Sequence, residues 1–544
     1  MIKIKKLAAI MIFTPMLLLS ACADGVSGFF SAEPEAEKTT ISSKVYLPME
    51  KIRTLNPIRL LDEDAYFIDK LIYDSLFVLD DSLAAENLLA ANYVYAEDGL
   101  SAVIGLKQGV RWQDGESFTA EDVAFSVESY ISAIGAHLYS DQVANIKSVK
   151  TDKDNPYQIT IFFKSADKAG VENLTFPILP RHVYKNFSDL RNRAEDFIPL
   201  GTGPYKVLEY NSYSHLTLVG NPEYHSGAAP ENQLLFQILP QRSDALNMLA
   251  VNAISFAVSK EENRDLIYRN PRVTATSFLS NEAVWICFNS EKELTRNKKI
   301  RQAIARAVDT EDILEAAYYK SGVLSDTVYF PGFLGVGKSA DPYGFSMDEA
   351  KRLFGEGGLR DTDSDGILET ETGEDAVINI SVNSGSPSRT LAGQMIKSSL
   401  ERLGLVCNLT VPESGNYGNA VSERNYDIYI GESQFRETFD LRFMLHSGYE
   451  NPARYSNEEL DRLLDSFVGA NTGEKRGEIF QEIREILIEE IPYYCLLYKT
   501  YGAVSSPALL GTVKPTFHNI YRECVDWYCA YTAVAEEEKS EAAE

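Results

Sequence analysis

Val110-Arg-Trp-Gln-Asp-Gly115, followed closely by Phe118-Thr-Ala-Glu-Asp-Val123-Ala-Phe-Ser126, is the stretch on which the fold turns. It is the first of several ordered blocks. Gly201-Thr-Gly-Pro-Tyr205 comes next, then Ile286-Cys-Phe-Asn289 with Ile300-Arg-Gln-Ala-Ile304 and Ala307-Val-Asp309. Asp348-Glu-Ala-Lys351-Arg-Leu-Phe354 runs into Asp361-Thr-Asp-Ser-Asp-Gly366, and Tyr426-Asp-Ile-Tyr-Ile-Gly-Glu432 precedes Tyr455-Ser-Asn457 and Asp461. Strand and helix signals mix around these blocks. Alternating or β-rich runs predict strands at Ser101–Lys107, Gln158–Lys164, His215–Val219, Leu234–Leu239, Ala253–Val258, Val377–Val382, Val406–Val411 and Tyr426–Ile430. Helical spacing of apolar residues predicts helices over 297–319, 388–403 and 474–490, and Ser346-Met-Asp-Glu349 reads as a capping box opening a short helix. The chain is α/β or α+β, without an internal repeat.

At 544 residues it has room for three or four domains of about 150 residues each. A chain of this size buries a sizeable core without disulfide staples. Its 79 Asp and Glu against 52 Lys and Arg give a formal charge of −27. That balance lacks the basic face that nucleic acid requires, and it leaves enzyme and binding protein both open.

Lys3, Lys5 and Lys6 precede an apolar run of thirteen residues, Leu7 to Leu19, broken at Thr14 and Pro15. The run is shorter than the ~20 residues that span a bilayer and has the length of a signal-peptide core. It ends in Leu19-Ser20-Ala21-Cys22, which resembles the bacterial lipobox. That resemblance implies diacylglyceryl transfer to the Cys22 thiol and cleavage before it, leaving a membrane-anchored, extracytoplasmic protein. Residues 1–21 are then the signal, 22–40 a small, polar, acidic tether, and 534–544 an acidic tail. Beyond Cys22 lie Cys287, Cys407, Cys495, Cys524 and Cys529; a local bridge between the last two is open from sequence.

Two motifs tempt and fail. Gly332-Phe-Leu-Gly-Val-Gly337-Lys338-Ser339 satisfies the phosphate-loop pattern, but Asp341-Pro342 follows where the mechanism needs a helix. Asp361-Thr-Asp363-Ser-Asp365-Gly366 starts like a calcium loop, but Thr372 stands where the bidentate Glu belongs. A hairpin tip is the better reading, and no metal or other cofactor is expected. Nucleophile-elbow and zinc-protease motifs are absent, and no two of the six histidines stand four residues apart. The chain does not read as an enzyme.

The ordered blocks resemble the extracellular solute-binding proteins of peptide and nickel ABC importers, family 5, over roughly residues 44–505. The resemblance implies a two-lobed periplasmic-binding-protein-like fold of type II, with a hinge between the lobes and an extra inserted domain. Lobe I would comprise 41–60, 200–280 and 495–533, the inserted domain 61–199, and lobe II 281–494. It implies a monomer that binds di- or oligopeptides in the interlobe cleft and delivers them to ABC permease subunits. Nickel chelate, haem or another solute, or a peptide pheromone in a signalling role, are the alternatives on the same scaffold. In peptide-binding members an Asp just after the strand resembling 426–432 pairs with the ligand's ammonium, and Asp440 matches by position. Trp285 and Tyr498, near the two hinge crossings, are further ligand-binding candidates, with core packing the competing reading. Replacing Cys22→Ala is expected to abolish incorporation of labelled fatty acid and release the protein from the membrane fraction; continued labelling would remove Cys22 as the anchor.

Overall fold

The run Ala283-Val-Trp-Ile-Cys-Phe288 ends a fifteen-residue strand, Thr274–Phe288. Successive side chains of a strand point to opposite faces, so an unbroken apolar run needs a core on both sides. Val284, Ile286 and Phe288 enter one core with Ile300, Ile304 and Leu353. Ala283, Trp285 and Cys287 enter another with Tyr429, Phe439 and Tyr493. The structure, a computed structural model, describes residues 39–166, 170–193, 198–337, 341–383, 385–412, 421–470 and 473–532. The chain divides into residues 1–40 with 532–544, and residues 41–531. All that follows concerns the second unit.

Its central sheet runs in the order Phe256–Ser259, Tyr493–Ser505, Thr274–Phe288, Ile428–Gln434, Val377–Val382, Val406–Thr410. The two longest strands pair antiparallel from Thr274 opposite Ser505 to Cys287 opposite Tyr493. Their ladder shifts register between Leu279 and Ala283 and again between Val284 and Trp285. Inside the first break, the Ser280 hydroxyl donates to the Lys499 carbonyl at 2.9 Å, and the Phe435 N–H donates to the Asn281 carbonyl at 2.9 Å. Before the break, strand Thr274–Phe288 pairs only with Tyr493–Ser505; after it, with Ile428–Gln434 as well.

A second sheet joins Lys44–Met49, Gln233–Ile238, His215–Gly220 and Tyr205–Asn211. A third joins Ala90–Tyr95, Ser101–Leu106, Gln158–Phe163 and Ile146–Thr151. The stretch 110–126 seats against this third sheet. Trp112 and Phe118 are buried in its core, and helix Ala120–Ser132 follows. The Asp122 carboxylate accepts the Thr119 N–H and the Arg181 N–H, each at 2.8 Å, which fixes the helix start. Gly201 and Gly203 press on the chain at Ile72: a Cβ would lie 1.9 Å and 2.7 Å from its carbonyl oxygen. Gly203 N–H also donates to that oxygen at 2.9 Å.

The expected helix over 297–319 is two helices, Lys298–Ala307 and Thr310–Ala316. Asp309 interrupts it, its carboxylate accepting the Asp312 N–H at 3.0 Å as a cap. Ser346 caps helix Met347–Glu356 as expected, but the Glu349 carboxylate turns to Arg352 Nε at 2.9 Å instead of closing the box. The phosphate-loop look-alike is packing: Phe333 is buried against Tyr329, Phe439 and Phe480, while Lys338 and Ser339 lie outside the described residues. Cys524 and Cys529 are buried free thiols, as are Cys287, Cys407 and Cys495.

Gly431 faces the Trp285 ring, and an added Cβ would meet it at 2.2 Å. Overpacking of this kind costs about 1–3 kcal/mol. Gly431→Ala is therefore expected to lower the melting temperature in a calorimetric scan.

Candidate functional site

Helix Glu63–Ile72 sets Glu63, Tyr66 and Phe67 on one face, spaced three and four apart. Facing it is the segment after strand Ile428–Gln434, where Phe435, Arg436, Glu437, Phe439 and Asp440 follow without regular structure. Together with Glu172 on the turn Gly170–Asn173 and Arg476 on helix Gly473–Glu490, they wall a cavity of about 830 Å³. Val258, Lys260, Asn281 and Tyr501 close it beside the ladder break of the central sheet. The volume is that of a pocket for a small organic ligand.

Contacts bridge the two walls. Tyr66 O–H donates to Glu437 Oε1 at 2.9 Å, and Arg436 meets Asp141 at 2.8 Å. Arg476 pairs with Glu172, both nearly out of solvent, and its guanidinium lies over the Phe467 ring at 4.6 Å. Within the walls, Lys260 meets Glu63 at 2.6 Å and Arg242 meets Asp64 at 3.0 Å. Burial, with the Glu437 charge beside it, pushes the Tyr66 phenol well above its usual range. Burial pulls the Lys70 ammonium down, with Glu437, 4.0 Å away, opposing. The Asp440 hydrogen bonds push the Arg442 guanidinium up.

Of the sequence candidates, Asp440 lines the cavity. Its side chain is 43% exposed and held by Arg442, Nε to Oδ1 at 2.9 Å and Nη2 to Oδ2 at 2.7 Å. Trp285 is 5% exposed and packs edge-on to Tyr429 and Tyr493, at 5.5 Å and 5.4 Å between ring centroids. Tyr498 is fully buried, its hydroxyl donating to the Val328 carbonyl at 2.6 Å. Neither Trp285 nor Tyr498 is among the cavity-lining residues; Tyr501 and Asn281 occupy the wall near the strand crossing. Cys22 lies outside the described residues, and no helix among them is long and apolar enough to cross a membrane.

The acidic loop is a hairpin tip: Arg360 bridges Glu369, and the carboxylate oxygens of Asp361, Asp363, Asp365 and Glu369 lie within 4.8 Å of one another. They cap the turn. Glu369 Oε2 takes the Thr362 N–H at 2.6 Å and its hydroxyl at 2.8 Å, and Asp365 takes the Ile367 N–H at 2.7 Å.

Sequence reasoning missed Glu63, Tyr66, Glu172, Glu437 and Arg476. They come from four distant segments, and no local pattern links them. The one usable signal was the position just after the 428–434 strand, where the family resemblance pointed to Asp440.

The family model described as bacterial extracellular solute-binding proteins, family 5 middle, matches residues 84–453, and the chain belongs to this family. The oligopeptide-binding protein AppA of Bacillus subtilis (strain 168) is 25% identical over 516 residues, 91% of this chain and 94% of that protein. Heme-binding protein A of Haemophilus influenzae is 24% identical over 532 residues, 92% of this chain and 95% of that protein. The solved structure of Bacillus subtilis AppA in complex with a nonapeptide matches with a TM-score of 0.60 at 22% identity, over 91% of this chain and 100% of that one. The fold is thus the two-lobed α/β fold of these binding proteins.

Arg476→Ala would remove the cation facing Glu172. Breaking a buried pair from one side costs about 3–5 kcal/mol, so this variant should melt well below the doubly neutral Glu172→Gln/Arg476→Met protein. Equal melting temperatures would show the pair to be energetically idle.

Proposed function

We propose that this member of the family 5 solute-binding proteins takes a short peptide into the cavity between its lobes and presents it to the transmembrane subunits of an ABC importer. The observation that carries the reading is the cavity of about 830 Å³ beside the break in the two longest strands, walled by residues 63–173 on one side and 434–476 on the other. A break in a ladder is a place where backbone angles can change without unmaking either flanking sheet. In this reading the lobes meet at 280/281 and 494/495, with 61–199 as the inserted domain. Closure then requires only that the ligand bind the closed state more tightly than the open one.

The protein performs no chemistry in this reading and works as a monomer held outside the cytoplasmic membrane by lipid on Cys22. The names of the AppA relative and of its nonapeptide complex support a peptide as the solute. Within the cavity, Asp440 receives the peptide ammonium. A carboxylate has about four lone-pair positions, so Arg442 does not exhaust it.

A thermal-shift screen tests the reading, since a ligand at a hundred times its Kd stabilises by about 2.7 kcal/mol. A mixture of short peptides is expected to raise the melting temperature. Stabilisation by haem or nickel–histidine, with none from peptides, would overturn it. Asp440→Asn should weaken peptide binding about ten- to a hundredfold, the value of a charge-assisted hydrogen bond; unchanged affinity would end that residue's role.

A further inference from the structure

Among the described residues, every charged side chain in the cavity wall already faces an opposite charge. Four pairs form between lining residues themselves: Glu63 with Lys260, Asp141 with Arg436, Glu172 with Arg476, and Asp440 with Arg442. The two remaining charges pair with residues outside the lining, Glu437 with Lys70 at 4.0 Å and Arg242 with Asp64 at 3.0 Å. A chain of formal charge −27 therefore lines its cavity with five acids and five bases. Between these pairs the lining is uncharged, with phenylalanines such as Phe67, Phe443 and Phe517 set among amide and hydroxyl side chains such as Gln142, Asn145 and Ser165.

We infer, resting on the peptide reading above, that the site selects peptides whose side chains are uncharged and apolar, so that the terminal ammonium and carboxylate are the only charges the cavity receives. A Lys or Glu side chain brought into this space loses its hydration. To regain a partner it must draw one member out of an existing pair and leave the other facing it uncompensated, which is costly in a desolvated site. An aliphatic or aromatic side chain disturbs no pair, removes apolar area from water and meets phenylalanine rings in edge or offset contact. A zwitterionic peptide is neutral overall, as is the wall. The pairs open enough to turn toward its termini are Asp440–Arg442, with side chains 43% and 26% exposed, Glu63–Lys260, at 41% and 38%, and Asp141–Arg436, at 54% and 69%. The Glu172–Arg476 pair, at 7% and 5%, is not.

The test is calorimetric titration of the full-length protein with Ala-Phe-Ala, Ala-Lys-Ala and Ala-Glu-Ala. Ala-Phe-Ala is expected to bind at least tenfold more tightly than either charged peptide. Binding of Ala-Lys-Ala or Ala-Glu-Ala as tight as that of Ala-Phe-Ala overturns the selectivity and leaves the peptide reading standing. Failure of all three to bind overturns the peptide reading, and the selectivity with it. Arg476→Met makes the wall acidic by one charge at its most buried pair, so Ala-Lys-Ala should gain at least tenfold relative to Ala-Phe-Ala. An unchanged ratio in a folded variant would contradict the inference.

Discussion

The structure depends on one antiparallel ladder whose register shifts twice, first at 280–282. Strands Thr274–Phe288 and Tyr493–Ser505 are the two longest described, and they alone run past both sides of the break at 280–282. A continuous ladder would hold the sheet rigid. The break hands two of its bonds to side chain and neighbouring loop: Ser280 bonds the Lys499 carbonyl, and Asn281 bonds the segment that becomes the cavity wall. The same three residues thus interrupt the ladder and hold Phe435, near the start of that wall.

Around this crossing the buried charges are organised rather than excluded. Lys499, on the crossing strand, sits between Glu262 at 2.9 Å and Glu432 at 2.7 Å. Burial acts to lower its affinity for a proton, and the carboxylates, Glu432 foremost, reverse that and hold it raised. The cavity repeats the pattern with its cross-wall pairs. Ion pairs in such places add little net stability compared with apolar packing; their effect is geometric, since each pair has one arrangement of the two walls in which it closes.

Much of the fold was legible because it is written in short-range patterns. The strand at Val377–Val382 lies where period-two reading puts it, and helix Pro387–Glu401 is within two residues of its expected ends. The helix over 297–319 was misread because its apolar stripe runs on through Asp309, and a stripe cannot reveal that a carboxylate will cap a new helix instead of projecting to solvent. The fifteen-residue strand was hidden for the opposite reason: Ala283–Phe288 is buried on both faces, so alternation vanishes. The site was least legible. Trp285 and Tyr498 lie on the two longest described strands with their rings in the core, because strand parity sends Trp285 to one face and tertiary packing decides what covers that face.

The sequence by itself determined the class of fold and the family, because the ordered blocks and the periodicity of strands and helices are local properties of the chain. The acidic balance and the absence of enzyme motifs were likewise readable without a structure. Only the tertiary structure decided which carboxylates meet which cations. Glu172 and Arg476 are 304 residues apart, and Glu63 and Lys260 are 197 apart. Charge pairing depends on separations of a few ångströms in space, and sequence separation carries no information about those until the chain has folded.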